Sequence, residues 1–568
     1  MKIQSKERES PITGASNVSS GGTREERLTL RILRWVRSRP TLLVLALVTA
    51  SSALLYSRIL RQGLPPGVDS ATFLHFAWFV QKTLQGQGGL ADPWWYGGFP
   101  LFRTYPPLAY SLPGVLAFLT HLDLIVVYKA VVLVACVGLG MATYWAALEL
   151  RTGTIPATIA AVLVITGYPL ITAASLWGWF STIIALALGV ASFAALERGL
   201  RLGSRRMAVL GGILLGLSVL AHHMTAFALA IVLLTWGTIR MFNHRRELRR
   251  FLFLTGAFAI ATCLVALWWI VLFLFHAVEV GFEREIPGLW DFSIRRYLSS
   301  VFDARLMGAH IYPSYAGIIP VGLALGGGIL SILRPNKATA YGATCLILLV
   351  FSLGQRVNPI IRIWPFNGLD VARFSLFLLP FSAVLGGSYL GELWQGFQGW
   401  TKRPLVAFSF AGLVLLAIMG FQIYDGFRAS KSMPMPFKVE TSVCEALDWL
   451  AEPGTVPGAV LAIGWWNWDS FLIPTEAARQ VMDGWYDEGT TDWRPIREVR
   501  HMMWSGDVDV PRLHQLMGER NTTYVVVYDY YDGEQPQVFM KALRLHPELF
   551  REVATWDDIA IFQWLPGT

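Results

Sequence analysis

Long apolar runs, each closed by a short polar stretch, recur along the first three-quarters of the chain. Eleven of them read as membrane-spanning helices, at roughly 41–60, 123–149, 155–173, 181–198, 207–222, 224–241, 251–275, 313–333, 339–356, 372–392 and 404–424. A helix needs about 20 apolar residues, and at least about 17, to cross the hydrocarbon core of a bilayer. The two runs of the 207–241 hairpin sit near that lower limit. Beyond 424 the pattern changes. Residues 439–452 carry apolar positions at helical spacing, 458–466 read as a buried strand, 510–520 as a short helix and 522–530 as a β-rich strand. Residues 536–550 are again helical, and 550–564 predict two strands about a turn at Asp557 and Asp558. Helices alternating with strands predict a small α/β domain. The expected fold class is therefore a polytopic α-helical membrane protein of about eleven spans with a C-terminal soluble α/β domain. Its parts are a disordered, basic N-terminus at 1–40, a transmembrane domain at 41–424 with a long first loop at 61–122, and the soluble domain at 425–568.

Charge sharpens this division. Of the 568 residues, 54% are hydrophobic and 15% charged, against roughly a quarter charged in ordinary soluble proteins. Residues 440–568 hold 21 Asp and Glu against 9 Lys and Arg, and the rest is strongly basic. Such asymmetry means two environments. The basic residues lie between apolar runs instead of forming one patch, which speaks against nucleic acid as a partner. They concentrate at Arg24 to Arg39 and in the loops 197–206, 240–250, 334–337 and 401–403. Eleven spans with the N-terminus inside put all of these on the cytoplasmic side, as the positive-inside rule requires. The 279–312 loop, with both signs, falls on the other side. There Glu279, Glu283, Glu285, Asp291 and Asp303 read as solvated partners of nearby arginines. The expected location is the plasma membrane, with the C-terminal domain extracytoplasmic. About forty polar residues precede the first apolar run, so that run reads as a span and not as a cleavable signal. Four scattered cysteines, with no CxxC pair, leave the redox compartment open.

Candidate chemistry clusters on the predicted outer face. Asp69 follows a Pro-Pro-Gly turn just past the first span, where burying a carboxylate is costly. It reads as a general base or metal ligand, and equally as the cap of a helix at 71–84. Residues 92–119 are rich in glycine, proline and aromatic rings. They predict a loop and an interfacial helix anchored by Trp94, Trp95 and Tyr105, with a plain aromatic belt as the simpler reading. His222 and His223 end one run of the hairpin. Adjacent helical residues point about 100° apart, so a hydrogen bond to a phosphate or carboxylate suits them better than one shared metal ion. The plainer alternative is a histidine satisfied by backbone. Asp370 and Arg373 open a late span, where arginine serves as a snorkelling anchor or as a two-pronged phosphate ligand. In the tail, "GWWNWDS" at 464–470 crowds Trp465, Trp466, Asn467 and Asp469 together, either as a flat binding surface or as the aromatic end of a core strand.

A first loop carrying an aspartate, an aromatic "YPPL" segment at 105–108, a His-bearing hairpin and an arginine opening a late span together resemble the GT-C superfamily. These are polytopic membrane glycosyltransferases that use polyprenyl-phosphate-linked sugars. "GWWNWDS", followed by "IPTEAARQVMDGW", is similar to the start of the soluble domain of the oligosaccharyltransferase catalytic subunit. The resemblance implies that Asp69 binds metal and activates the acceptor. It implies that Trp465, Trp466, Asn467 and Asp469 contact the acceptor. Asn467 stands where that family has an aspartate, so recognition of its peptide acceptor does not carry over. The family's second acidic motif is missing from "ASLWGWFS" at 174–181, and Mg, Mn or no metal at all stay open, with Asp69 the one candidate ligand. The family commonly has thirteen spans, against eleven here. The function this implies is transfer of a sugar from a polyprenyl-phosphate carrier to a glycan, lipid or protein acceptor on the extracytoplasmic face. Arg373, with His222 or His223, would hold the donor phosphate. A transporter or flippase of lipid-linked saccharide, and a non-catalytic membrane scaffold, are the alternatives. No internal repeat is visible and the polar residues gather at one face, which favours an enzyme.

Overall fold

The computed structural model describes residues 40–96, 98–243, 247–280, 318–334, 338–354, 357–363, 366, 370–400, 404–464, 468–482, 493–529 and 534–566. The chain divides into two units, Met1–Ala46 and Leu47–Thr568. The described part of the first, 40–46, is helical, and everything below concerns the second.

Five described helices are long and apolar enough to cross a membrane: Leu124–Glu149, Phe180–Leu202, His223–Phe242, Leu248–His276 and Phe374–Gly396. A sixth span is formed if Thr154–Ile165 and Tyr168–Trp177 count as one, bent by 42°. The sequence reads 155–173 as a single run. The bend has two causes. Pro169 enters the second helix at its start, where it cannot donate to the turn before. Gly167 lies against Leu379, so close that a Cβ there would meet the leucine methyl at 2.7 Å. Several other apolar runs form shorter helices, among them Pro40–Leu55, Leu108–Thr120 and Ala338–Ser352.

Phe180–Leu202 is the most enclosed of the five spans and packs against Leu124–Glu149 and Arg205–Ala221. Leu248–His276 turns most of its surface outward, with Leu264 and Phe275 largely exposed, as a lipid-facing helix does. One end of the bundle is tied by ion pairs. Arg201 Nη2 lies 2.5 Å from Glu149 and Arg240 Nη2 lies 2.8 Å from Glu197. Each acid also accepts an indole N–H, Glu149 from Trp145 and Glu197 from Trp236. Pairing and these hydrogen bonds offset the cost of burying the two acids. These residues border two of the basic loops.

The C-terminal segment carries a four-stranded sheet: β1 (Ala459–Ile463), β2 (Thr522–Tyr528), β3 (Phe550–Thr555) and β4 (Ile559–Trp564), in the order β1-β2-β4-β3. β1 runs parallel to β2, and the other pairs are antiparallel. All of β2 is buried, as expected of a strand covered on both faces. Its Val525 and Val527 join Leu513, Leu516, Met517, Phe539 and Leu543 from the flanking helices in one core. Each such side chain contributes about 1.5–3 kcal/mol on burial. Burial lowers the pKa of Arg479, whose guanidinium bonds the Leu450 carbonyl and lies over Tyr524. The sheet segment is sewn to the first loop by backbone bridges between Leu64 and Phe437 and between Trp95 and Val481. Helix Asp469–Glu476 packs on helix Ser70–Leu84.

Candidate active site

The Pro65-Pro66-Gly67 turn delivers Asp69 to the start of helix Ser70–Leu84, where Ser70 Oγ donates to the Pro66 carbonyl at 2.8 Å. The backbone N–H groups of Val68 and Asp69 donate to the carbonyls of Leu176 and Trp177 at 3.0 and 2.9 Å. That clasp depends on two glycines. Gly67 has φ +116°, Gly178 has φ +68°, and a Cβ on Gly67 would meet Gly178 N at 2.6 Å. Asp69 holds the N-cap position, yet its carboxylate makes no capping bond. The side chain turns inward, and the residue is 6% exposed.

What it faces is Arg373, whose Nη2 lies 3.7 Å from Asp69 Oδ2. Arg373 ends the short turn Val371–Arg373, immediately before helix Phe374–Trp400. Its Nε donates to Asp370 Oδ2 at 3.0 Å and its Nη1 to Thr182 Oγ1 at 2.8 Å. Nη1 also approaches His222 Nε2 at 3.3 Å, and the guanidinium carbon stands 4.5 Å from the centroid of the Trp179 ring. A planar fork held between two carboxylates and an aromatic face is pre-set for another planar or tetrahedral anion.

His222 interrupts the chain between helices Arg205–Ala221 and His223–Asn243, in an extended conformation at φ −162° and ψ 114°. Its Nδ1 accepts from the Thr225 backbone N–H at 3.2 Å and lies 2.8 Å from Thr225 Oγ1, which aims Nε2 at Arg373. His223 sits in an aromatic box, stacked on Phe273 at 5.7 Å and edge-on to Tyr105 at 5.9 Å. Asp69, Arg373 and His222, named separately from the sequence, thus meet at one place, and His223 lies next to them.

Other expectations fare differently. Trp465, Trp466 and Asn467 lie outside the described residues, as do Glu283, Glu285, Asp291 and Asp303. Asp469 opens helix Asp469–Glu476, and its neighbour Trp468 stacks on Phe437 at 5.8 Å. Trp95 and Tyr105 are not interfacial anchors. Trp95 is fully buried, with its Nε1 donating to the Ser470 carbonyl at 2.9 Å. The Tyr105 hydroxyl is 3.0 Å from Ser181 Oγ, and its ring lines the wall beside His222. The tight turns at Gly63 and Gly67, and the backbone bridges to the tail, draw this loop inward.

Sequence reasoning missed Trp179, in the segment where an acid was sought, and Thr182, in the first turn of helix Phe180–Leu202, which hold Arg373 instead. The one signal was Gly178 between two tryptophans. It also missed His75 and Asp92, both wholly buried, whose Nε2 and Oδ2 are 2.5 Å apart. The His75 ring stacks on Trp95 at 4.6 Å. Among the described residues no group of three His, Cys, Asp or Glu could hold a metal ion. The Arg373 guanidinium is set against both Asp69 and Asp370.

Residues 102–428 match a family model described as a 6-pyruvoyl-tetrahydropterin synthase related domain, membrane protein. No curated protein matches the chain. Solved structures do. The Archaeoglobus fulgidus oligosaccharyltransferase, in complex with Zn and sulfate, superposes with a TM-score of 0.53 at 14% identity, covering 85% of this chain and 67% of that one. The arabinofuranosyltransferase AftD from Mycobacteria gives 0.61 at 16% identity over 92% of this chain, which spans only 42% of AftD. ArnT from Cupriavidus metallidurans, bound to undecaprenyl phosphate, gives 0.54 at 14% identity over 91% of this chain and 97% of its own.

Proposed function

Since the chain belongs to the membrane-protein family described as a 6-pyruvoyl-tetrahydropterin synthase related domain, and since its fold is that of the GT-C glycosyltransferases, we propose that it transfers a sugar from a polyprenyl-phosphate carrier to an acceptor. The observation that carries this reading is the convergence of Asp69, Arg373 and His222.

In this reading the donor phosphate lies against Arg373, with His222 beside it, and the indole of Trp179 limits where the guanidinium can move. Charge builds on the phosphate oxygens as the glycosidic bond opens, and a fixed guanidinium stabilises that charge more than it stabilises the ground state. Asp69 receives the proton of the acceptor hydroxyl as that oxygen attacks the anomeric carbon from the face opposite the phosphate, which inverts the centre. Asp370 neutralises Arg373 between turnovers and keeps its Nε from competing for the ligand. The basic loops at the other end of the bundle support a reading in which this end faces away from the cytoplasm; the acceptor in this reading is a glycan, lipid or protein on the extracytoplasmic side of the plasma membrane, bound by the Trp465–Asp469 segment.

The test uses the purified full chain in vesicles with a polyprenyl-phosphate donor carrying a labelled sugar. Label moving to an acceptor supports the reading, provided that Asp69→Asn stops it. Label crossing the bilayer still attached to its carrier would instead make the protein a transporter.

A further inference from the structure

A cavity of about 880 Å³ lies beside the Asp69 end of the bundle, apart from the Arg373 site. Its floor is Leu60 and the first turns of helix Leu124–Glu149, and its roof is helices Thr441–Ala451 and Asp469–Glu476, through Leu447, Phe471 and Leu472. Sites for small ligands measure about 300–1,000 Å³, so the space suits an amphiphile's headgroup and the start of a chain.

Two observations say what enters it. The first is continuity. Val126 and Ala130 line the cavity and are exposed, and Val134 one turn further on is 67% exposed. Residues four apart share a helix face. The three make one apolar strip running from the cavity down a helix long enough to span a bilayer, which is a path for an acyl chain.

The second is the order of charges. On the bundle side stand Arg61, which is exposed, and Lys129, whose Nζ donates to the carbonyls of Arg61 at 2.5 Å and Gly63 at 2.6 Å, leaving its third N–H. On the roof side stand the exposed carboxylates of Asp448 and Glu476. Asp123 also lines the cavity at the start of the helix and keeps its charge while its Oδ1 accepts from the Val126 N–H at 3.0 Å. The cations thus sit on the elements that carry the apolar strip, Arg61 just after the first helix and Lys129 on the spanning helix, and the carboxylates of Asp448 and Glu476 sit on the tail helices that roof the cavity. A glycerophospholipid with an amine headgroup presents the complementary order: acyl chain, phosphate, ammonium. A lipid with a net negative head would set its outer part against Asp448 and Glu476 with no cation to offset them.

We propose that this cavity binds a zwitterionic phospholipid with a primary-amine headgroup. The phosphate lies on Arg61 and Lys129, the ammonium between Asp448 and Glu476, and one acyl chain along Val126, Ala130 and Val134. The site is independent of the transferase reading.

The full chain, stripped of lipid in detergent, is offered equal amounts of dioleoyl-phosphatidylethanolamine and dioleoyl-phosphatidylglycerol, and retained lipid is weighed by native mass spectrometry. Charge-assisted contacts predict about a tenfold preference for the ethanolamine lipid. The double change Asp448→Asn and Glu476→Gln, both at exposed positions, should erase the preference while lipid is still retained. Ala130→Trp or, should that variant not fold, Leu60→Trp should block retention of both lipids. No retained lipid on the unaltered chain, equal retention of the two lipids, or an undiminished preference in the double variant would each overturn the proposal.

Discussion

Arg373 and Asp69 come from opposite ends of the helical part of the chain, yet Nη2 of one lies 3.7 Å from Oδ2 of the other. Asp69 leaves its helix uncapped, and Arg373 bonds the side chains of Asp370 and Thr182. If Asp69 takes the acceptor's proton, Asp69→Asn keeps the shape and loses the base. Turnover should then fall by about 10² to 10⁴, with donor KM little changed. A variant within a few-fold of normal turnover would remove Asp69 from the chemistry.

Arg373→Lys keeps the charge and loses the fork. A lysine cannot serve Asp370, Thr182 and a phosphate together, nor lie flat on Trp179. Loss of a charge-assisted hydrogen bond costs about 1.5–3 kcal/mol, so donor affinity should weaken by about ten- to a hundredfold. Trp179→Leu should act in the same direction and more weakly, since the cation–π contact contributes about 1–2 kcal/mol when desolvated. Steady-state kinetics with varied donor read both, and an unchanged donor KM in the lysine variant would refute the assignment.

His75 and Asp92 are 0% exposed, and the pair pins the aromatic loop against Trp95 and, through it, Ser470. Removing the imidazole alone strands a carboxylate in a dry interior, which costs about 3–5 kcal/mol. His75→Ala should therefore lower the thermal unfolding midpoint by several degrees, and adding Asp92→Asn should recover part of the loss because the stranded charge is gone. A double variant less stable than the single would show that the bond Asp92 Oδ1 accepts from the Trp94 N–H at 2.9 Å outweighs the relief of the stranded charge.

The parts of this molecule legible in the sequence are those where a polar residue interrupts an apolar run. Asp69, His222 and Arg373 stand out that way, and so do the strands of the tail, where "TTYVVVY" has no helical period. What escaped has the same composition as its surroundings. Trp179 and Thr182 look like any aromatic and hydroxyl residue of a membrane helix, and only tertiary contact with Arg373 distinguishes them. His75 lies within a run of buried aromatics, and Asp92 within a loop whose rings masked it. Helix Asp469–Glu476 was hidden by Pro474, and the bend at Gly167 by an unbroken apolar run on either side of it. Trp95 and Tyr105 were misplaced because interfacial and core aromatics share a residue type, and what separates them here is a backbone bridge from the far end of the chain.

In the C-terminal segment, Arg544 holds Glu552 with two parallel bonds, Nε to Oε2 and Nη2 to Oε1, each 2.8 Å. Arg544 lowers the pKa of Glu552 chiefly through this hydrogen bonding. A carboxyl whose pKa is lower in the folded than in the unfolded chain stabilises the fold at any pH above its unfolded value, about 4.3 for glutamate. That stabilisation disappears as pH falls through the lowered folded value. Both side chains are substantially exposed, so screening limits the pair to about 1 kcal/mol or less. Glu552→Gln should lower the unfolding midpoint slightly at neutral pH. The gap between variant and parent should close in acid and shrink in high salt. A gap that persists unchanged below the glutamate range would mean that Glu552 stabilises this sheet edge by packing and not by its charge.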